Sequence, residues 1–353
     1  MPDSGAVTRR ALLAGGLAAV GGVVVACAKS AAPRAAPPLR QTPSTAPAST
    51  AVTSAPPAPD PASVHANELG VIPVLMHHRL VTKVDSEYDM TPAWFAAELQ
   101  RLRREGYYPV TTLQVARGDL GHVPAGRSPV VLTFDDSSVG QLHYTATGKI
   151  APDSAVGMLI AFSRAHPDFP AVASFYLNKD PFTLGDPHRA LTDLVQHGFE
   201  VGNHTYDHVP LRLSPAKVQQ QLGELAAMVT AAVPGVAPRT LALPLGVEPS
   251  HPTLVRSGSW HGTTYRNEAV LLVGAEPAHS PFHRDWNAAA VPRIRSSSYQ
   301  GGRGEFLSTW WLDQIRSGDV TRYVSAGNPG HVTVPKKYAA HVSRAFRDKL
   351  VTY

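Results

Sequence analysis

The sequence contains very little cysteine: Cys27 is the only one among 353 residues, which excludes a fold held together by disulfide bonds. Charged residues are also few, at 17% of the chain, and no basic run or stripe indicates nucleic-acid binding. A Gly-x-Ser-x-Gly motif is missing, which argues against a serine hydrolase. The uncharged stretch between Arg10 and Cys27 is shorter than the roughly 20 residues of a comfortable membrane span.

The first 27 residues have the features of an export signal. Thr8-Arg9-Arg10-Ala11-Leu12-Leu13 resembles a twin-arginine signal, and the apolar stretch after it has the length of a signal h-region. Val24-Val25-Ala26-Cys27 resembles a bacterial lipobox, in which the cysteine is lipidated and becomes the first residue of the mature chain. We therefore expect residues 1–27 to be a lipoprotein signal, with Cys27 anchoring the protein to the outer face of the bacterial cell membrane. A chance cysteine in a plain signal peptide is the alternative.

Residues 28–64 are nearly all Ala, Pro, Ser and Thr, with few side chains that could form a core. This composition predicts a disordered, partly extended linker. At about 3.1 Å per residue, such a linker reaches on the order of 100 Å from the membrane, far enough for a tethered domain to search the adjacent wall. Without residues 1–26 the formal charge is +4 (30 Lys and Arg against 26 Asp and Glu), a weak excess suited to anionic wall polymers.

Residues 65–353 alternate between strand-like and helix-like segments and suffice for one sizeable α/β domain. Strands are predicted at 72–76, 110–113, 129–134, 173–177, 240–243, 270–273 and 322–325. Helices are predicted to begin near residues 91, 154, 186, 214, 305 and 336, most of them at a capping residue followed by proline or an apolar periodic run. Repeated βα units predict a parallel sheet with right-handed crossovers, closed or nearly so.

Two short motifs follow predicted strands and carry metal-ligand side chains. Thr133-Phe134-Asp135-Asp136 ends a buried strand with two carboxylates, and His204 and His208 follow another short apolar segment. If residues 204–208 form one helical turn, both imidazoles lie on the same face. A carboxylate and two neutral imidazoles are a common set of ligands for a catalytic divalent metal. A solvated Asp-Asp turn and a chance histidine pair are the alternatives for each motif alone.

These residues resemble the first two motifs of the polysaccharide deacetylases, the carbohydrate esterase family 4 or NodB-homology domain. Further similar stretches occur in the order expected for that family, at Ile72-Pro73-Val74-Leu75-Met76-His77-His78, Ala173-Ser174-Phe175-Tyr176 and Gly198-Phe199-Glu200-Val201-Gly202-Asn203-His204. The resemblance covers residues 70–250 well and the remainder weakly. It implies a distorted (β/α)7 barrel that forms a single catalytic domain after the disordered linker.

The resemblance also implies an activity: hydrolysis of the acetamide of an N-acetylated sugar, giving a free amine and acetate. By this resemblance Asp136, His204 and His208 hold a divalent metal, most simply Zn²⁺, which polarises the carbonyl and lowers the pKa of a bound water from about 15.7 towards about 7. Asp135 is then the general base. From the residues alone, the two aspartates remain exchangeable. The glycine that usually follows the pair in the family is Ser137 here.

Leu243-Pro244-Leu245-Gly246 occupies the place of the family's third motif. In that motif the backbone N–H after the proline binds the oxyanion of the tetrahedral intermediate, so the resemblance assigns this role to Leu245 and a substrate contact to Pro244. The arginine of the motif is replaced by Ala242, so no guanidinium from this stretch can orient Asp135. A plain strand end with a Pro-Gly turn is the alternative interpretation.

The family's late Leu-x-His motif, whose histidine protonates the leaving amine, is not found. Tyr323-Val324-Ser325-Ala326-Gly327 stands in its place, and the candidate substitutes are His331, His283 and His279. Trp286 follows Asp285 in a loose match to the fourth motif and is a candidate floor for a sugar subsite, with a core position as the alternative.

Three functions therefore remain open at the level of sequence. The first is a metal-dependent N-deacetylase of cell-wall or related glycans. The second is a carbohydrate O-acetyl esterase, which needs no acid because an alkoxide leaves more readily than an amine. The third is a wall-glycan-binding lipoprotein with impaired catalysis. For each of the three functions, we expect a polysaccharide partner, a lipid anchor and a monomer that does not bind nucleic acid.

Overall fold

A computed structural model of the protein describes residues 59–299 and 304–353. The export signal, the lipobox cysteine Cys27 and residues 28–58 of the predicted linker lie outside the described residues, so these predictions stay predictions. Within the described ranges, no helix is both long enough and apolar enough to cross a membrane.

Helices and strands alternate along most of the described chain. The helices are α1 Pro92–Arg104, α2 Thr112–Arg117, α3 Ala155–Ala165, α4 Pro187–Gln196, α5 Pro215–Ala232 and α6 Ser308–Ser317. The strands are β1 Val74–His77, β2 Arg79–Leu80, β3 Asp89–Met90, β4 Tyr107–Val110, β5 Ser128–Phe134, β6 Ser174–Leu177, β7 Glu200–Asn203, β8 Thr240–Ala242, β9 Ser257–Trp260, β10 Thr263–Arg266, β11 Ala269–Leu271, β12 Ile294–Arg295, β13 Val332–Val334 and β14 Leu350–Thr352. Short 3-10 helices lie at Pro181–Thr183, Pro244–Gly246, Pro252–Val255, Lys336–His341 and Arg344–Lys349.

The main sheet has eight strands, seven of them in the order β11-β8-β7-β6-β5-β1-β12, and β4 also pairs with β5. Every pairing in this sheet is parallel. The sheet curls into a half-barrel. Its two edges come close to each other through Val291, which lies just before β12 and forms a β-bridge with Leu271 of β11. The predicted α/β fold with a distorted barrel is confirmed.

Local sequence signals explain where most helices begin. The Thr91 hydroxyl accepts a hydrogen bond from the Trp94 N–H at 3.1 Å, and Pro92 takes the first helical position of α1. Ser154 caps α3 in the same way through the Gly157 N–H. At the centre of the sheet all seven residues of β5 are buried, as expected of a strand covered on both faces. This rigid strand fixes the position of the two aspartates that follow it.

Three predicted elements were wrong in position or type. The strand expected at 110–113 ends at Val110, because Thr111 and Gln114 form a reciprocal capping box that starts α2. Residues 322–325 form isolated bridges rather than a strand. The helix expected from Lys336 is broken into two 3-10 helices, because the Ser343 N–H donates to the Phe282 carbonyl and holds the chain extended between them.

Candidate metal and catalytic site

The two aspartates after β5 point to different surroundings. Asp135 is buried, and its backbone N–H donates to the His77 carbonyl at 2.9 Å, which continues the pairing between β5 and β1 by one residue. Asp136 has a positive φ of 70°, and this turn in the backbone directs its side chain towards the histidine loop. Because the strands of the main sheet are parallel, their carboxyl ends meet at one edge. The structure therefore places Asp135 and Asp136 at the same edge as the loops that follow β7 and β8.

Asp135 is held by an arginine that the sequence analysis did not anticipate. Arg293, which is fully buried just before β12, donates from its two terminal nitrogens to the two carboxylate oxygens of Asp135 at 2.8 and 2.7 Å. Its Nε donates to the Leu272 carbonyl at 2.8 Å, which fixes the plane of the guanidinium. The guanidinium missing at Ala242 is thus supplied from another strand.

This ion pair sets the charge of Asp135. Burial by itself raises the pKa of the carboxyl group, but the positive charge of Arg293 and its hydrogen bonds outweigh burial, so the pKa lies below its ordinary value. Asp135 is therefore an ionised, oriented carboxylate at neutral pH. Its geometry is suited to accepting a proton from a group in the adjacent cleft.

The two histidines converge although the turn between them is not helical. Residues 204–208 form an irregular loop, in which Thr205 and His208 have positive φ values of 62° and 54°. Side chains hold this loop in place: Asn203 accepts from the Thr205 N–H at 2.8 Å, and Asn178 donates to the carbonyls of His204 and Thr205 at 2.7 and 2.8 Å. The predicted helical turn was wrong because these hydrogen bonds compete with a helix.

The side chains of Asp136, His204 and His208 present ligand atoms that all lie within 4.8 Å of one another. The Nε2 atoms of the two histidines lie 3.2 and 3.1 Å from the same oxygen, Oδ1 of Asp136. This oxygen is buried and has no well-aligned hydrogen-bond donor despite these short distances. A buried carboxylate oxygen without a donor, facing two imidazoles, is the donor set of a divalent transition metal.

The tautomer of His204 supports the same arrangement. Its Nδ1 lies 2.8 Å from the Ala242 carbonyl oxygen, which can only accept, so Nδ1 carries the proton and Nε2 carries the lone pair. A ring nitrogen fixed by a backbone carbonyl is the usual support of a metal-binding histidine. The residues present therefore fit the cation that the sequence predicts.

A third histidine, His78, enters the same cleft. The adjacent His77 is buried in the core, where Nδ1 and Nε2 lie 3.0 and 2.8 Å from the Thr133 carbonyl and Glu98. His78 follows β1 and points the other way, with Nε2 4.0 Å from Oδ2 of Asp135 and Nδ1 without a hydrogen-bond partner. Burial lowers the pKa of His78 to about 4, so its resting form is the neutral imidazole.

These residues line a cleft of about 300 Å³. Leu245 lies on its rim with 64% of its surface exposed and a positive φ of 55°, in the 3-10 helix Pro244–Gly246. Pro244 is buried directly behind it. Tyr88 and Val273 also line the cleft, and the ring of Tyr88 lies edge-on to that of His78 with centroids 4.9 Å apart. The cleft thus combines an ionised carboxylate, a candidate metal site and the exposed apolar side chain of Leu245.

Other residues singled out by the sequence lie elsewhere. Trp286 packs against the apolar cluster that includes Phe282 and does not line the cleft. His331 lines a separate small cavity, and His279 and His283 line another. None of the three candidate acids is in the cleft. His78 could have been found from the sequence, because it directly follows a predicted strand, whereas no sequence signal pointed to Arg293.

Comparisons with known proteins give one family match. Residues 122–257 match the polysaccharide deacetylase family model. No curated protein matches the chain. The match contains the two aspartates, both metal-site histidines and Leu245, whereas His78 and Arg293 lie outside it.

Several solved structures resemble the chain at low identity. They include the deacetylase PplD of Streptococcus pyogenes in complex with acetate (18% identity, 64% of this chain and 92% of that chain, TM-score 0.49). IcaB from Ammonifex degensii has 18% identity over 65% of this chain and 93% of its own, with a TM-score of 0.45. The BpsB deacetylase domain from Bordetella bronchiseptica has 16% identity over 67% and 98%, with a TM-score of 0.44. Similarities at this level carry no argument about activity.

The family match and the cleft involve the same part of the chain. The segment that supplies Asp135, Asp136, His204 and His208 is the segment matched by the family model. Over residues 122–257, the chain is therefore similar to the polysaccharide deacetylase family.

Proposed function

We propose that this protein is a metal-dependent hydrolase that removes N-acetyl groups from a cell-wall or related glycan. The observation that carries the proposal is the convergence of two imidazole nitrogens on one oxygen of Asp136, beside an ionised Asp135. All of these residues belong to the segment that matches the family. An amide needs an activated carbonyl, an activated water and a protonated leaving group. The residues of the cleft address each of these needs.

Asp136, His204 and His208 are the residues that would hold the metal, with Zn²⁺ as the expected ion. When bound there, the metal supplies Lewis acidity towards the acetyl carbonyl and towards water. The three side chains come from two loops, and the Ala242 carbonyl fixes the ring of His204 so that its Nε2 would be free to bind the ion. Leu245 lines the cleft, and its backbone N–H is the proposed donor to the developing oxyanion, with Pro244 in the same 3-10 turn.

Asp135 is the proposed general base. The arginine pair keeps it ionised and in one orientation, and its second oxygen faces the cleft and His78. A carboxylate that is buried and held by two hydrogen bonds cannot swing to become a metal ligand, so we assign the base role to Asp135 and the ligand role to Asp136. General bases of this kind contribute about 10²- to 10⁴-fold to the rate.

His78 is the proposed carrier of the proton to the leaving nitrogen. It is neutral at rest and lies 4.0 Å from the oxygen of Asp135 that would receive a proton from water. A neutral imidazole beside the base can accept that proton and donate it to the amine as the C–N bond breaks. With such a group in the cleft, an amide is a better proposal than the ester considered from the sequence.

We also propose that the protein works outside the cell. This part rests on the sequence alone: the twin-arginine-like signal, Cys27 in a lipobox-like stretch and the Ala/Pro/Ser/Thr-rich linker that ends near residue 64. In this proposal a monomer is lipid-anchored to the outer face of the bacterial cell membrane. The linker lets the cleft reach N-acetylated wall polymers.

The decisive assay measures acetate released from chitooligosaccharides, peptidoglycan and acetylated xylan by the full chain loaded with Zn²⁺. We expect release from an N-acetylated polymer, loss of release with a chelator, and recovery when Zn²⁺ is restored. His204→Ala should abolish metal binding in the cleft and acetate release, whereas the partly exposed His143→Ala should change neither. Release from acetylated xylan alone would identify an O-acetyl esterase. A folded, metal-binding protein that releases no acetate from any of the three would leave only the glycan-binding function.

A further inference from the structure

A second group of histidines lies away from the cleft. His279, His283 and Asp285 have ligand atoms within 4.8 Å of one another, and the ring of His341 stacks against His283 with centroids 5.7 Å apart. The three histidines line a cavity of about 250 Å³ together with Gly70 and its neighbours. Those neighbours precede β1, whereas His78 and the cleft follow it, so this cavity lies at the opposite ends of the strands from the cleft.

We propose that His279, His283 and Asp285 form a second divalent-cation site, with His341 as a fourth donor and Zn²⁺ as the expected type of ion. Imidazoles with a carboxylate select borderline transition ions rather than Ca²⁺ or Mg²⁺, which prefer oxygen ligands. A site closed by four protein ligands is a structural rather than a catalytic one. The cation would tie the loop at 279–285 to the C-terminal segment.

The backbone that carries these ligands is already fixed. Ala278 exchanges both backbone hydrogen bonds with Ile72, at 2.8 and 3.0 Å, just before His279. The Arg284 N–H donates to the carbonyl of His341 at 2.8 Å, which holds the two segments side by side. Preorganised backbone of this kind lowers the cost of bringing ligands together.

The ring nitrogens are available for a ligand. Within the described residues, the rings of His279 and His341 make ring contacts but no hydrogen bond to protein, and Nδ1 of His283 only receives the Asp285 N–H at 3.2 Å. Burial and the neighbouring His279 lower the pKa of His283, which favours the neutral, metal-binding form. The rings of His279 and His341 therefore lack the internal partners that hold His77 in the core.

One movement is required for binding. The rings of His279 and His283 are nearly parallel, with an interplanar angle of 7° and centroids 4.7 Å apart, so their lone pairs lie in separate planes. His279 is exposed, and a rotation about its side-chain bonds directs a ring nitrogen towards His283 and Asp285. Among His279, His283 and Asp285, only this exposed side chain has to move, since His283 already faces the carboxylate of Asp285 at 3.5 Å.

The test counts bound Zn²⁺ per full chain after equilibrium dialysis, and the variants separate this site from the cleft. We expect two equivalents for the wild type, one for the double variant Asp136→Asn/His204→Ala, one for His283→Ala and one for the milder His279→Gln. The exposed His251→Ala is the matched control and should retain two. Mg²⁺ offered alone should not bind at the second site.

Stability gives a second measurement. Zn²⁺ should raise the Tm of the Asp136→Asn/His204→Ala protein, and the added His279→Gln change should remove that increase while the Tm without metal stays the same. The proposal is overturned if the cleft double variant binds no Zn²⁺ while it remains folded. It is also overturned if His279→Gln and His283→Ala bind as much as His251→Ala. Failure of the cleft to bind metal, with one equivalent still lost in His279→Gln, would instead contradict the proposed function alone.

Discussion

The guanidinium of Arg293 binds both carboxylate oxygens of Asp135, at 2.8 and 2.7 Å, with both side chains almost completely buried. The two residues lie 158 positions apart in the sequence and meet only because β12 follows β1 and β5 in the sheet. This pair gives the cleft an ionised carboxylate in one orientation. Four predictions about the residues of the fold and the cleft follow.

Arg293→Met should destabilise the protein and inactivate it. Removing one partner of a buried ion pair leaves an uncompensated charge and typically costs about 3–5 kcal/mol. The pKa of the remaining Asp135 carboxyl group should then rise, because burial is opposed only by the neighbouring histidines and no longer by the arginine. Urea unfolding and acetate release measure the two effects, with the partly exposed Arg239→Met as control. Adding Asp135→Asn should restore part of the lost stability, and a double variant no more stable than Arg293→Met would contradict the pairing.

Asp135→Asn should keep the metal and lose activity. The side chain retains its shape and one oxygen that can accept from Arg293, while Asp136 and both histidines are unchanged. Acetate release should fall about 10²- to 10⁴-fold, as expected for loss of a general base. Metal content by mass spectrometry and turnover should be compared with the exposed Asp153→Asn. If Asp135→Asn instead loses the metal at unchanged fold, the two aspartates have the opposite roles.

His78→Gln should slow amide hydrolysis more than ester hydrolysis. An amine must be protonated to leave, whereas a nitrophenolate leaves without a proton, so only the amide depends on a proton carrier. We expect release from an N-acetylated oligosaccharide to fall about 10²-fold or more, with a much smaller effect on 4-nitrophenyl acetate. His143→Gln, at a partly exposed histidine outside the cleft, serves as control. Equal losses on the two substrates would indicate a positioning effect rather than proton transfer.

Glu68 should make the fold less stable as the pH rises. Its carboxyl group is 4% exposed and accepts from the Ala326 and Thr333 N–H groups at 3.0 and 2.8 Å, but burial outweighs these bonds and raises its pKa to about 7 from an ordinary 4.5. A group whose pKa is raised on folding stabilises the protein fully below its unfolded pKa, and this contribution is lost as the pH rises through the folded pKa.

The expected size of this effect follows from the same two values. The difference between about 7 and 4.5 corresponds to about 3 kcal/mol, lost between about pH 4.5 and pH 8. The free energy of unfolding of the wild type minus that of Glu68→Gln should fall by this amount over that range. The exposed Glu248→Gln should give a difference that does not change with pH. A wild-type curve parallel to that of Glu68→Gln would show that Glu68 titrates normally.

Much of the fold was predictable because its signals are local. Helix starts are set by neighbours in sequence: the side chains of Thr91 and Ser154 cap α1 and α3, and prolines occupy the first position of α1, α4 and α5. The seven buried residues of β5 form one continuous apolar run, which a sequence shows directly. Predictions failed where the boundary of a helix or strand depends on a residue far away in sequence. An example is the C-terminal segment, which the carbonyl of Phe282 holds extended.

The sequence by itself determined the parallel α/β sheet and brought Asp135, Asp136, His204 and His208 into consideration, because each pair follows a strand and parallel strands end at one edge. It did not determine the loop conformation between the histidines, which depends on Asn178 from another strand end. It also left the partner of Asp135 undetermined, since Arg293 lies outside every recognisable motif. Only the tertiary structure decided the histidine loop and the partner of Asp135. Contacts between residues far apart in the chain are set by the order and curvature of the strands, and no single segment of the sequence determines either.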